Sequence, residues 1–238
     1  MGIWETLRLD PKVHRLIALV GGGGKSSTMY AMARQAMDQG LRVVVTTTTH
    51  ILPHPKLPLT GDPAALPDLL AEHRVVTLGA YDARGKLTGA GDPAACLAVA
   101  DVVLIEADGA KLRPLKAPAD HEPVIPPTCD AVLAAAGLDS VGKPIEETCH
   151  RPERVCALLG VSPDHRITPT DVAAILSSPA GGRKSVGQAM AFRCLLNKAD
   201  DPQRQAWGEA IGALLARQGI HSAITYYTEE ERGGLCLF

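Results

Sequence analysis

Aromatic residues make up only 3% of the 238 positions. Binders of single-stranded nucleic acid rely on such rings as stacking platforms, so the scarcity argues against that class. Neither charge is in excess, since 24 Lys and Arg stand against 26 Asp and Glu, a formal net charge of −2. A general nucleic-acid binder draws affinity from counterion release at a basic surface, and this balance supplies none, so no nucleic-acid partner is expected. No apolar run approaches a membrane span: Leu16-Ile17-Ala18-Leu19-Val20 and Val102-Val103-Leu104-Ile105 are strand-sized. The segment Met1-Gly2-Ile3-Trp4-Glu5 has no basic stretch leading into an apolar one. No secretory leader or membrane partner is therefore expected, and the location expected is cytoplasmic. The six cysteines (Cys96, Cys129, Cys149, Cys156, Cys194, Cys236) include no C-x-x-C pair, which predicts free, mostly buried thiols.

The remaining composition is that of a globular protein, 46% hydrophobic and 21% charged. A chain of this length buries about 70% of its unfolded surface, enough for one domain over residues 1–238. Strand-like and helix-like segments alternate. Strands are expected at 15–20, 41–48, 74–78, 101–107, 191–196 and 222–227, with a weaker one at 129–135, and helices at 25–39 and 203–217. Gly85 suggests a hairpin turn within 81–88. Helical segments at 151–159 and 170–176, the second capped by Thr168 or Thr170, suggest a small helical insertion within 140–187. Residues 178–187 are expected as a mobile connection and 229–238 as a loosely held end. Five prolines within Lys111 to Pro127 exclude a helix there and mark a long loop after a strand. No internal repeat or low-complexity segment is present.

The most informative segment is Leu19-Val20-Gly21-Gly22-Gly23-Gly24-Lys25-Ser26-Ser27, between a predicted strand and a predicted helix. Glycines allow successive N–H groups to curl toward an anion, and the helix start adds partial positive charge. Lys25 would reach the β- and γ-phosphates, and the Ser26 hydroxyl would ligate Mg²⁺. Leu19 occupies the first glycine position of the longer phosphate-loop pattern, so the match is to the shorter G-x-x-G-K-[ST]-[ST] form. The fold expected is therefore α/β, a P-loop NTPase-like three-layer sandwich with a mainly parallel sheet.

A second apolar strand ends in Glu106-Ala107-Asp108-Gly109, where two carboxylates could hold Mg²⁺ and the glycine N–H could sense a γ-phosphate. Asn197-Lys198-Ala199-Asp200 follows a late strand and fits the N-K-x-D pattern that reads guanine. Asp200 would accept from the base N1–H and amine, Asn197 would address the N7/O6 edge, and the Lys198 stem would pack along the ring. In Thr46-Thr47-Thr48-Thr49-His50, Thr48 is a candidate metal contact. Within the proline-rich loop, Lys111, Arg113 and His121 are candidates for neutralising a transferring phosphoryl group or binding an anionic substrate. His50 and His54 are four apart, but Pro53 and Pro55 forbid a helix, so no zinc pair is expected.

Taken together, Val20 to Ser27, Thr46 to His50, Glu106 to Gly109, Arg113 to Pro118, His121 to Pro126, His150 to Glu153 and Leu196 to Asp200 resemble the YqeC family over nearly the whole chain. That family often has threonines where this chain has Ser26 and Ser27, a change that keeps the hydroxyl. Its members are regarded as accessory proteins of selenium-dependent molybdenum hydroxylases. The resemblance implies a nucleotide-dependent step in maturing such an enzyme, with that hydroxylase or its cofactor machinery as partner. The function expected is a Mg²⁺-dependent NTPase, slow alone, with GTP slightly preferred over ATP. Two alternatives stand beside it. The short loop and threonine-rich strand end also resemble Mur-type ATP-dependent ligases, which suggests a ligase or kinase acting on a small anionic substrate. The other is a nucleotide-gated scaffold with little hydrolysis.

Overall fold

A computed structural model describes residues 2–227. Its centre is an eight-stranded sheet: β1 Leu16–Gly21, β2 Val43–Thr47, β3 Leu59–Thr60, β4 Val75–Leu78, β5 Val102–Glu106, β6 Ala131–Gly137, β7 Ala191–Asn197 and β8 His221–Thr225. The spatial order is β8-β7-β6-β1-β5-β2-β4-β3, and every neighbouring pair is parallel. Seven helices accompany it among the described residues: α1 Ile3–Thr6, α2 Lys25–Asp38, α3 Leu66–His73, α4 Ile145–Thr148, α5 Pro152–Leu159, α6 Pro169–Ser177 and α7 Pro202–Ala216.

Parallel strands covered on both faces must be apolar throughout, and β1, β2, β5 and β6 are buried along nearly their whole length. Their alternation divides the core in two. Ile17, Leu19, Val43, Val45, Leu104 and Leu133 face Trp4, Met29, Met32 and Ala36 on one side. On the other, Leu16, Ala18, Val20, Val103, Ile105 and Val132 face Leu70, Val172, Ile175, Ile211 and Leu215. The result is the three-layer α/β sandwich expected of a P-loop NTPase-like chain. Asp130 fixes the register at the start of β6: its Oδ2 accepts from the N–H groups of Arg15 and Leu16 at 2.7 and 2.8 Å.

Several boundaries differ from expectation. α3 and β3 were not foreseen, because Pro58, Pro63 and Pro67 punctuate that stretch and leave no full helical period. The expected hairpin forms between Ala80–Tyr81 and Leu87–Thr88, and His50–Ile51 adds a third antiparallel strand to it. The proline-rich segment is not all loop, since Leu115–Lys116 pairs in parallel with Cys149–His150. Residues 178–187, expected as a mobile connection, are tied down: the Gly182 N–H bonds the Ile175 carbonyl at 2.8 Å, and Lys184 Nζ bonds the Ala119 carbonyl at 2.6 Å. Of the cysteines, Cys96, Cys129, Cys149 and Cys194 are buried free thiols and Cys156 is half-buried, while Cys236 and the expected loose end at 229–238 lie outside the described residues. Among the described residues no helix is long and apolar enough to cross a membrane.

Between β6 and β7, Thr168 caps α6 in a reciprocal box with Asp171, whose carboxylate also meets His165 Nε2 at 2.8 Å. Burial works against the Asp171 carboxylate, but the bonds from His165 and Thr168 outweigh it and hold its pKa below the ordinary value. Asp171→Ala is therefore expected to destabilise the protein by about 1 kcal/mol near neutral pH. The native carboxylate's contribution is present above the unfolded aspartate pKa and is lost as pH falls through its lowered folded value. Urea titrations of both proteins from pH 7 to pH 3 check this: the gap between them should close with acid, and a constant gap contradicts it.

Candidate functional site

Because every sheet strand runs the same way, the carboxyl ends of β1, β2, β5, β6 and β7 share one edge. β1 lies where the chain order reverses, with β5, β2, β4 and β3 on one side and β6, β7 and β8 on the other. Open α/β sheets bind ligands at such a switch point. A cleft of about 650 Å³ lies here, lined by the loop between β1 and α2, by Glu106, by residues 109–113, by His150 and Arg151, and by residues around His50 and Asp82.

The glycine loop leaves β1 and is pinned on three sides. The Gly22 N–H continues the pairing to Ala135 at 2.9 Å, and the Gly21 N–H donates to both Asp108 oxygens at 3.1 and 3.0 Å. Asn197 Nδ2 donates to the Gly23 carbonyl at 3.0 Å. A side chain is excluded along the whole loop: Gly21, Gly23 and Gly24 take positive φ, and a Cβ at Gly21 would lie 2.3 Å from the Ala135 carbonyl. At Gly23, with φ +77°, a Cβ would lie 2.2 Å from the Gly137 nitrogen; at Gly24, with φ +125°, it would lie 1.7 Å from Asn197 Nδ2. From Gly23 to Ser27, none of the five consecutive backbone N–H groups meets an acceptor among the described residues. Such a run at a helix start is an anion-binding concavity.

Beneath the loop lies a chain of buried charges. Lys25 Nζ contacts the Gly21 carbonyl at 2.6 Å, Asp108 Oδ1 at 2.9 Å and, more distantly, Glu106 Oε1 at 3.8 Å. Ser26 Oγ donates to Glu106 Oε2 at 2.9 Å. Asp108 Oδ2 also meets Lys116 Nζ at 3.0 Å, and Lys116 continues to Glu122 Oε2 at 2.8 Å and to the Gly109 carbonyl at 2.6 Å. Glu122 then accepts from both ends of the Arg151 guanidinium, at 2.9 and 3.2 Å. Three acids thus alternate with three bases, and Lys25, Asp108 and Lys116 are at most 5% exposed. Burial alone would lower the Lys25 pKa, but Asp108 and Glu106 outweigh it and hold the ammonium above the ordinary lysine value. Burial dominates at Glu106 and raises its carboxyl above the usual range despite Lys25 and Ser26. At Glu122 burial is overcome by Lys116 and Arg151, and its pKa is lowered.

Gly21 to Ser27, Glu106, Asp108 and Gly109 meet at the strand ends, and Lys111, Arg113 and Lys198 join them along the cleft wall. Asp108 and Thr48 differ from their expected metal positions. Asp108 is 2% exposed and committed to Gly21, Lys25 and Lys116, so its carboxylate supports the loop from beneath rather than facing the cleft. Thr48 Oγ1 donates to the Val124 carbonyl at 2.7 Å, and its neighbour Thr49 lines the cleft instead. His121 is exposed and outside the lining, because the turn at 119–122 sends Glu122 inward and His121 outward. Asn197 is buried against the loop and accepts from Thr225 Oγ1 at 3.2 Å; Lys198 pairs with Asp139 at 2.8 Å, and Asp200 pairs with Arg204 on the surface.

The sequence reading assigned no individual role to Lys116, Glu122, His150 or Arg151. One signal was there: Lys116 lies between Leu115 and Ala117 in a stretch bounded by Pro114 and Pro118, the setting of a lysine that must be buried and paired. The donor set also suits a hard divalent cation, because Glu106 and Ser26 present oxygens within 2.9 Å of each other at the loop. Among the described residues no cluster of three or more His, Cys, Asp or Glu forms a separate metal centre.

Comparison with known proteins identifies the family of the chain. The family model described as YqeC protein matches residues 17–153, which include the glycine loop, both strand-end acids and Arg151. The chain is 36% identical over 183 residues to a protein of Escherichia coli (strain K12) named "Uncharacterized protein YqeC", covering 73% of this chain and 72% of that relative. By both measures the chain belongs to the YqeC family.

Proposed function

We propose that this protein is a Mg²⁺-dependent nucleoside triphosphate-binding protein and slow NTPase, with GTP slightly preferred over ATP. Its role would be the maturation of selenium-dependent molybdenum hydroxylases, a role that rests on the family resemblance. The observation that carries the nucleotide reading is the run of five N–H groups from Gly23 to Ser27 that meet no acceptor among the described residues, with Lys25 Nζ held beside it by Asp108. The amides and the ammonium would share the β- and γ-phosphate charge. Ser26 and Glu106 would hold Mg²⁺, and bound Mg²⁺ would supply charge neutralisation at the phosphates. Asp108 keeps Lys25 protonated and fixes the amide of Gly21, which makes it a positioning residue. Asn197 braces the loop through Gly23, so its side chain serves the cradle rather than the base. Guanine reading then falls to Lys198 and Asp200. The Asp200–Arg204 pair is partly exposed, and opening it to meet a base costs little.

Isothermal calorimetry with the Mg²⁺ complexes of GTP and ATP tests the assignment. Lys25→Ala is expected to weaken both by at least roughly 100-fold, the scale of losing charge-assisted bonds in a protected site; wild-type affinity in the variant contradicts a phosphate loop here.

Ser26→Ala removes one oxygen from the metal site while leaving the cradle amides in place. Nucleotide affinity should then lose most of its dependence on Mg²⁺ concentration, and a metal dependence identical to wild type argues against this ligand.

Asp200→Asn should cut the GTP-to-ATP affinity ratio by about tenfold and improve xanthosine triphosphate. If GTP binding is untouched, the Asn-Lys-x-Asp segment is a brace and a turn, and base selection lies elsewhere.

A further inference from the structure

The cleft extends past the glycine loop to charged groups at residues 111–113 and 150–151. We propose that His150, Arg151, Lys111 and Arg113 form a second subsite, which takes the carboxylate or phosphate of a small-molecule co-substrate beside the nucleotide. The proposal rests on the nucleotide reading above for its neighbour, and on separate residues for its own chemistry.

Charge balance is the first argument. Seven Lys and Arg side chains line the cleft against three acids. Lys25 is matched by Asp108, Arg151 by Glu122 and Lys198 by Asp139. That leaves Arg84, Lys86, Lys111 and Arg113 against Asp82 and Glu106, a cationic surplus to which Lys111 and Arg113 contribute. Among the described residues Arg113 Nη1 donates to the backbone carbonyl of Glu147, which orients the guanidinium without cancelling its charge.

Arg151 supplies the second argument. It caps α5 in the left-handed region, with φ 59° and ψ 63°, a conformation that disfavours a residue bearing a Cβ. Glu122 holds its two Nη groups, so the planar fork is fixed in place while Nε–H meets no acceptor among the described residues. Rigid presentation of an arginine donor is the usual requirement for recognising an oxyanion.

His150 completes the wall. Its Nε2 lies 2.7 Å from Arg151 Nη1, and because a guanidinium only donates, Nε2 accepts and the imidazole proton sits on Nδ1. Burial, with Arg151 and Lys116 nearby, lowers the His150 pKa, and with Nε2 accepting the ring offers its one N–H donor at Nδ1. Lys111 is presented by a turn in which it and Leu112 both take positive φ, 47° and 61°. That turn places Lys111 on the cleft lining.

The two subsites share a wall. A Cβ on Gly22 would lie 2.5 Å from the Arg113 carbonyl, and the Gly137 N–H bonds the Pro114 carbonyl at 2.8 Å. The pairing of Leu115–Lys116 with Cys149–His150 brings His150 alongside the lysine that joins Asp108 to Glu122. An oxyanion held by Arg151 and His150 would thus sit next to the terminal phosphates at the loop.

Titration of the full chain with sulfate and with acetate, each by calorimetry, separates the cases, sulfate standing for a phosphate ester and acetate for a carboxylate. With the protein saturated by Mg²⁺ and a non-hydrolysable GTP analogue, one saturable site for at least one of the two ions is expected. Its affinity should fall at least tenfold in Arg151→Gln and also in Lys111→Ser, an exposed position whose change spares the fold. No saturable site on the nucleotide-loaded protein, or an affinity unchanged in both variants, overturns the proposal. If the nucleotide analogue itself does not bind, the nucleotide reading fails on its own. The same ion titrations of nucleotide-free wild type and both variants then decide the second subsite.

Discussion

The ion-pair chain from Glu106 through Lys25, Asp108, Lys116 and Glu122 to Arg151 is the interaction on which the rest of the site depends. Charges this buried are unfavourable unless each is met by an opposite one, and breaking a single pair typically costs about 3–5 kcal/mol because the remaining charge is stranded. The chain is therefore all-or-none in character. It links the glycine-loop lysine, the end of β5, the proline-rich segment and the start of α5, although these residues span 25 to 151 in the sequence.

The sheet explains why those charges can meet at all. Parallel strands deliver their carboxyl ends to one edge, and pairing registers set how far each extends. Glu106 is level with Leu19 on one side and Thr47 on the other, so its side chain emerges at the root of the glycine loop. On the opposite flank β6 is mostly alanine where it meets β1, and that small profile lets the loop backbone approach Ala135 and Gly137 closely. Bulkier residues there would hold the loop away from Asn197 and remove its brace. The packing of the core and the shape of the glycine loop are thus one constraint.

Much of the fold was legible in the sequence. Four glycines followed by Lys-Ser, after an apolar run, marked the turn from β1 into α2, and the uninterrupted apolar strands required helices on both faces. What could not be read was direction. Glu106 and Asp108 are two apart on an extended segment and look equivalent as metal ligands, yet one ends facing the cleft and the other beneath the loop. The difference arises from a tertiary partner, Lys116, whose own placement depends on a two-residue strand pairing with Cys149–His150. No local pattern encodes that pairing. The same holds for His121 and Glu122, adjacent residues whose fates are set by a turn and by Arg151. Asn197 is a subtler case: its position after β7 was apparent, but its bond to Gly23 rests on the close approach of β6 and β7 to the loop.

Asp108 also changes how the charge of Lys25 should be understood. An ammonium aimed only at solvent would be a mobile point charge, and ordering it upon phosphate binding would cost side-chain entropy. Here Asp108 and the Gly21 carbonyl fix Nζ in advance, so that cost falls within folding rather than within binding. The drawback is competition, because under the proposed function a phosphate would share the ammonium with a carboxylate already 2.9 Å away. Lys116 relieves it. By placing a second cation on the other oxygen of Asp108, it leaves that carboxylate less dependent on Lys25, whose positive charge can then be redirected upward. The buried lysine in the proline-rich segment is thus what allows one aspartate to preorganise the loop without neutralising it.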